Sequence, residues 1–392
     1  MSDALLVINT GSSSIKLAVY ALNDHEDPLW RGEIDGIGRA PRYRSRAGGK
    51  TIEEIAVPSD VVHKHRPLIK WMLTRFQQEA PTLNVIAAGH RVVHGGRNFD
   101  TPVRVNSKVL EELHALSNLA PSHQPHNLAG IQAVTDVWPD IPQVACFDTA
   151  FHRTQPRIAQ LFALPHRLAE EGVLRYGFHG LSYEYIASVL PEYLNERAEG
   201  RIIVAHLGHG ASLCAMRNRK SIATSMGFTA LDGLVMGKRC GDIDPGVVLY
   251  LLRDRDMSLP QVATLLSQES GLLGISGISD DMRDLVDNDE ARAKEAVELF
   301  VYRALSQMGA LIAQLKGLDG LVFTAGIGQH SPLIRARIVE GLAWMGVKID
   351  EQANAQSASC ISTPDSALSV HVIATDEEGV IARDTARLIE CL

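Results

Sequence analysis

At 392 residues, with 45% hydrophobic and 21% charged residues, the chain has the makeup of an ordinary globular protein of two domains or one duplicated pair. A net charge of −8 with no basic block argues against nucleic acid or an anionic membrane as partner. No apolar run approaches the roughly 20 residues of a bilayer span, and the start, Met1-Ser2-Asp3, lacks the basic and long apolar regions of a signal peptide. Cys146, Cys214, Cys240, Cys360 and Cys391 are far apart and form no CxxC, which predicts reduced thiols and a cytoplasmic location.

Residues 7–20, VINTGSSSIKLAVY, read as strand, tight polar turn, strand. Gly11 lets the backbone turn and a ligand approach closely. The hydroxyls of 12–14 and the free N–H groups beside them suit an anion such as phosphate, with Lys16 adding positive charge. A strand follows, so this is not a Walker A loop. A Ser-rich hairpin turn is the plainer reading. Further strands are expected at 29–35 and 51–57, with a solvated basic loop over 39–50 between them. A helix is expected over 59–78, capped by Ser59. NVIAAGHRVVHGG, 84–96, is a buried strand with a polar end. Helices follow at 107–118 and 127–137, then the strand QVACFDTAFH, 143–152, near which the first domain ends.

The second half repeats the theme. RIIVAHLGHGASLCAMRN, 201–218, is again strand, Gly-rich turn, strand, with Gly208 and Gly210 where Asn9 and Gly11 stood. GLVFTAGIG, 320–328, is a buried strand ending in glycine, as VACFDT does earlier. The pattern predicts an internal duplication. An amphipathic helix is expected over 289–315 and a last helix over 376–392, whose Asp376, Glu377 and Glu378 suit a helix N-terminus.

Several of these ends carry reactive residues. His90 and His94 would make a zinc pair at i, i+4 only on a helix, and Ala87-Ala88-Gly89 argues against one. Arg91 ends a buried strand, where it either pairs with a carboxylate or binds an anionic ligand bidentately. Asp148 either caps the next helix or reaches into a cleft. His179 lies between glycines in Tyr176-Gly177-Phe178-His179-Gly180 and is structural or functional. MGKRCGDIDPG, 236–246, holds Lys238, Arg239, Asp242 and Asp244 in a Gly-bounded loop, and GISGISDDMRD, 274–284, is a further Gly/Ser loop. Anion-binding turns, turn arginines and carboxylates at element ends are the parts phosphoryl transfer needs. No GxSxG elbow is present for a nucleophilic hydrolase.

Taken in order, NTGSSSIK (9–16), GHRVVHGG (89–96), FDTAFH (147–152), YGFHG (176–180), HLGHG (206–210), MGFTALDGLVMGKRCGDIDPG (226–246), DMR (281–283) and TAGIG (324–328) resemble the acetate kinase family of the acetate and sugar kinase/Hsp70/actin superfamily. The resemblance implies an α/β chain of duplicated ribonuclease H-like (actin-like ATPase) domains. Each would be a mixed five-stranded sheet flanked by helices, and an interdomain cleft would close on substrate. The domains would span 1–148, completed by the helix 376–392, and 149–375. It implies reversible, Mg²⁺-dependent (or Mn²⁺-dependent) transfer from ATP to acetate, giving ADP and acetyl phosphate, in a homodimer.

Carried over residue by residue, the resemblance gives Arg91, Asp148, His179 and Arg239 to catalysis, with His123 near the same cleft. Asn9 and Glu377 would hold the metal. Ser12, Lys16, His206, Leu207, Gly208, His209 and Gly210 would line the phosphates. Asp281, Met282, Arg283, Gly326, Ile327, Gly328, Gln329 and His330 would form the adenosine pocket. Arg91, Val93, Ser122, Phe178 and Ala230 would hold the acyl substrate. The chain departs from the family at His209, usually Asn, at Gln329-His330, commonly Glu-Asn, at Ser122, often Leu, and at Ala230, commonly Pro. The last two changes imply a roomier acyl pocket and make a propionate kinase the alternative. A nucleotide-switching ATPase of the actin/Hsp70 kind would lack the two arginines.

Overall fold

A computed structural model describes residues 2–390 apart from 12, 13, 39, 60, 62, 63 and 122. The chain forms two compact units, one of Met1–Phe151 with Asp376–Leu392 and one of His152–Thr375.

The first unit is built on a sheet of β1 (Ser2–Thr10), β2 (Ser14–Ala21), β3 (Trp30–Asp35), β4 (Arg42–Ala47), β5 (Lys50–Ala56), β6 (Leu83–Val92), β7 (Val103–Arg104) and β8 (Gln143–Phe147). Their order is β5-β4-β3-β2-β1-β6-β8-β7. The eight strands exceed the five expected. Within the basic stretch 39–50, read as a loop, residues 42–50 form β4 and its turn into β5, a β-hairpin. Tyr43 and Ser45 turn inward while Arg42 and Arg46 face out, and Gly48 and Gly49 make the turn at φ of 52° and 76°.

One face of the sheet packs Leu6, Ile8, Leu17 and Val19 against the helices His65–Glu79 and Gln124–Val137 through Leu68, Met72, Phe76 and Val134. The first of these helices begins at His65 rather than at 59, because Pro67 can stand only in a first turn. The other face receives the helix Glu377–Glu390 over Leu5 and Ala87. Gly89 permits that approach: a Cβ there would lie 2.2 Å from Thr385 Oγ1 and 2.5 Å from Ile381 Cγ2.

The second unit carries β9 (Arg201–Leu207), β10 (Ala211–Arg217), β11 (Lys220–Thr224), β12 (Gly320–Thr324) and β13 (Ser369–Val372) in the order β11-β10-β9-β12-β13. β9, β10 and β11 are antiparallel neighbours, while β12 is parallel to β9 and β13 to β12. The inner strands β3-β2-β1-β6-β8 of the first unit repeat that order and sense. The duplication is therefore visible in topology, with β4, β5 and β7 added at the edges. The helix Ala291–Leu315 is long and apolar enough to cross a bilayer by length and composition. Its Ala296, Phe300, Ala304 and Leu311 are buried within this unit, and Glu298 and Arg303 are exposed.

Candidate active site

In the first unit the chemistry gathers where β1, β6 and β8 end. β6 runs parallel to β8 with Arg91 opposite Cys146, which brings Arg91 close to Asp148 just past the strand. Arg91 Nε and Nη2 donate to Asp148 Oδ1 at 3.0 Å and Oδ2 at 2.6 Å, and Nη1 donates to Asn9 Oδ1 at 3.2 Å. Asp148 is 1% exposed and the Arg91 side chain 19%. Burial alone would lower the arginine's pKa; the charges of Asp148 and Glu377 outweigh it and raise it, so the guanidinium is held charged. Asp148 therefore faces a cation, and Glu377, in the first turn of the last helix, acts on the same guanidinium.

The loop after β6 is held from behind by amide side chains. Asn127 Oδ1 accepts from the Val93 N–H, and its Nδ2 donates to the Thr10 carbonyl and hydroxyl. Gln124 Oε1 accepts from the His94 N–H, while its Nε2 donates to the His94 carbonyl. Val93 is buried. His123 is half-buried and stands at the N-cap of the helix Gln124–Val137. His90 and His94 are both buried. His90 Nε2 meets Gln143 Oε1 at 2.7 Å, and His94 Nδ1 accepts from the Gly96 N–H. Burial pushes both imidazoles down to about 4, so they are neutral at physiological pH. Lys16 lies opposite Asn9 across the first hairpin and lines a small cavity with Arg31, Glu33 and Glu378. Ser12 and Ser122 lie outside the described residues.

The second unit brings His179, His206, Gly210, Ala230 and Arg239 together. His179 opens the helix Gly180–Leu194 in a left-handed conformation, φ 59°, which costs a non-glycine residue energy and recurs at functional sites. Its ring stacks on His206, centroids 4.2 Å apart, and its Nδ1 meets Ser212 Oγ at 2.8 Å. His206, near the end of β9, pairs with Ser182 Oγ at 2.8 Å. The Tyr183 hydroxyl adds a 2.5 Å bond to Ser212. Leu207 is buried at the end of β9. Arg239 Nη1 donates to the Ala230 carbonyl at 2.7 Å. A Cβ on Gly210 would lie 2.6 Å from Arg239 Nη2 and 3.1 Å from His179 Nε2, so glycine here lets both groups stand over the turn. Phe178 is buried, and its carbonyl accepts from His152 Nε2.

Beside this cluster is a cavity of about 710 Å³, a size that suits a nucleotide. Its walls include Gly208, His209, Asp281, Met282, Arg283, Gly326, Ile327 and His330. Gly328 and Gln329 hold the wall from behind, since both carbonyls accept from Arg335 Nη1 at 2.8 Å. His206, Leu207 and Gly210 do not line this cavity.

The sequence reading passed over Asp280 and Arg335. His209 Nε2 stands 3.1 Å from Asp280 Oδ2, which Lys238 Nζ approaches at 3.3 Å. Burial would raise the Asp280 pKa, but the hydrogen bonds from His209 and Lys238 prevail and lower it. The acidic pair before Met282 was the available signal for Asp280. For Arg335, within a helical stretch, the sequence offered none. The arrangement as a whole presents a carboxylate-paired guanidinium with hard oxygen donors in one unit. The other offers a second guanidinium, imidazoles and a glycine turn beside a nucleotide-sized cavity.

Comparison with known proteins bears on that chemistry. The model of the acetokinase family matches residues 4–383. An acetate kinase of Rhodopseudomonas palustris is 51% identical over 401 residues, covering 100% of this chain and 99% of the relative. One from Methylocella silvestris is 48% identical over 399 residues, covering 100% and 99%. Among solved structures, a propionate kinase from Francisella tularensis superposes with a TM-score of 0.90 at 36% identity, covering 99% of this chain and 100% of that one. Porphyromonas gingivalis acetate kinase gives 0.87 at 34%, with the same coverage.

Proposed function

The chain belongs to the acetokinase family, and from that premise we propose that it transfers the γ-phosphoryl group of ATP reversibly to the carboxylate of acetate, giving ADP and acetyl phosphate. The observation that carries the reading is Arg91, a half-buried guanidinium kept charged at the end of β6. Acetate is ionised at pH 7, so no general base is needed. The obstacle is anion approaching anion. A guanidinium acting on such a transition state is worth about 10³–10⁵ in rate. Arg91 would hold the carboxylate, with Asp148 fixing the plane of its fork, and Arg239 and His179 would meet the phosphoryl group. The glycine turn 206–210 and the walls of the large cavity would hold ATP. In-line transfer requires these two groups of residues to be brought together around the substrates. A neutral sugar would have little use for the Arg91 fork, and an ATPase that only switches conformation would need no acceptor site.

The Asn9 amide oxygen and the Glu377 carboxylate fit a divalent cation. Mg²⁺ typically takes only one or two protein oxygens and fills its octahedron with water and phosphate oxygens. Both lie around Arg91, Asn9 by hydrogen bond and Glu377 by its charge. Mg²⁺, or Mn²⁺ in its place, would neutralise phosphate charge when bound.

Ala230 supports a pocket with room for one more methylene, and so a propionate kinase as the alternative. A methylene is worth about 1–3 kcal/mol of discrimination, so acetate should still be used. A homodimer is supported by the helix Pro245–Arg253, which has no buried residue and exposes Leu249 and Tyr250; light scattering after gel filtration tests it. The free thiols of Cys146, Cys214, Cys240 and Cys360 support a reducing, cytoplasmic compartment. The test of the activity is a hydroxamate assay with ATP and Mg²⁺ on acetate, propionate and butyrate. Acetyl hydroxamate supports the reading, a clear preference for propionate favours the alternative, and no acyl phosphate from any acid refutes both.

A further inference from the structure

The outer face of β2, β3 and β4 carries a charge arrangement of which the phosphoryl-transfer reading uses only Lys16. The strand register sets Lys16 opposite Glu33 and Glu33 opposite Arg44, and in the next row it sets Arg31 directly opposite Arg46. Like charges facing each other across an antiparallel pair are destabilising. Two carboxylates offset part of this: Glu33 meets Arg44 at 3.2 Å, and Glu378, from the first turn of the last helix, meets Arg31 at 3.5 Å. Among the described residues no ion pair engages Lys16 or Arg46. These four cations and two carboxylates line one cavity of about 100 Å³, so its wall carries a net charge of +2. The cavity admits a tetrahedral oxyanion and excludes a nucleotide.

We propose that this cavity is a second anion site, built for a compact phosphate-class dianion. The two forked guanidiniums of Arg31 and Arg46 match such an ion through paired N–H donors, and Lys16 supplies a point charge. An anion between Arg31 and Arg46 removes the repulsion that the register imposes. The shared chemistry is the phosphoryl dianion, carried either by free inorganic phosphate or by the head of a small phosphomonoester. Arg91 does not line this cavity, which meets the last helix at Glu378, one residue after Glu377.

The test is calorimetric titration of the full chain with inorganic phosphate, at constant ionic strength against a chloride control. Wild type, Arg46→Gln and Arg91→Ala are compared. Arg46 is exposed, and matching melting curves in phosphate-free buffer establish that the variant is folded. Losing a charged hydrogen-bond partner should weaken phosphate binding about tenfold or more in Arg46→Gln. Arg46→Lys should recover part of it, and Arg91→Ala should leave it within about twofold. Wild-type affinity in Arg46→Gln, loss of binding in Arg91→Ala alone, or no heat beyond the chloride control would each overturn the proposal. Glycerol phosphate then separates the two sources. Competition with phosphate assigns the site to a phosphomonoester head, and its absence beside phosphate binding assigns it to the free ion.

Discussion

Arg335 is 0% exposed, yet among the described residues no carboxylate pairs with it. Its five donors go to neutral acceptors: the Gly328 and Gln329 carbonyls, Asn354 Oδ1 and its carbonyl, and Ser357 Oγ. Burial pulls its pKa down to about 10, which leaves it charged at neutral pH. The consequence is mechanical. The short helix Ala325–His330, which forms one wall of the nucleotide-sized cavity, is tied through this side chain to the segment 354–357. Arg335→Met removes the donors and leaves buried acceptors behind. Gln329 keeps the Ser357 hydroxyl as donor, so the loss falls on two or three groups. At about 1–3 kcal/mol for each orphaned group, the cost is roughly 3–6 kcal/mol. With roughly 2–4 °C per kcal/mol for a unit of this size, its thermal transition should fall by about 6–24 °C. Scanning calorimetry measures the shift, and hydrogen exchange at 326–331 should rise in parallel. The KM for ATP should rise more than that for acetate. A transition lowered by less than about 2 °C, with unchanged exchange, would refute the reasoning.

Three further outcomes follow from the geometry. His90 has a folded-state pKa of about 4, against about 6.5 when unfolded. The unfolded chain therefore binds the extra proton between those values. Stability should be full above pH 6.5 and fall as the pH drops toward 4, and His90→Gln should flatten that slope in urea titrations at stepped pH. Gly210→Ala would place a methyl against Arg239 and His179 and should lower kcat by about 10²-fold with melting unchanged; equal kcat would contradict the close approach. His209→Asn breaks a 60% exposed contact with Asp280 and should change the KM for ATP by less than about fivefold, since an exposed pair contributes only about 0.2–1 kcal/mol.

The parts legible in the sequence were those written in local pattern. The strand–turn–strand units at 7–20 and 201–218 are the hairpins β1–β2 and β9–β10, and the apolar runs at 84–96 and 143–152 hold all but the first residue of β6 and the whole of β8. The hairpin over 42–56 was half missed, because arginines on its outer face obscured the inward alternation of Tyr43 and Ser45. The helix start at 59 was misjudged because Ser59 is a good cap by type, while Pro67 fixes the first turn further on. At the site, Arg91 and Asp148 could each be placed at a strand end. Their pairing depends on β6 and β8 being parallel neighbours, which periodicity cannot reveal. Arg335 was illegible because its acceptors are backbone carbonyls supplied by the fold, and no residue letter records them.

In the proposed function, Arg91 serves the acyl carboxylate while the nucleotide is held elsewhere. The direct measurement is Arg91→Ala, assayed for acetyl phosphate formation, with ADP binding followed by calorimetry on the same preparation. The expected result is a loss of about 10³-fold or more in kcat/KM for acetate, with the Kd for ADP within about twofold of wild type. Activity within tenfold of wild type, or an equal collapse of ADP binding in a folded variant, would contradict it.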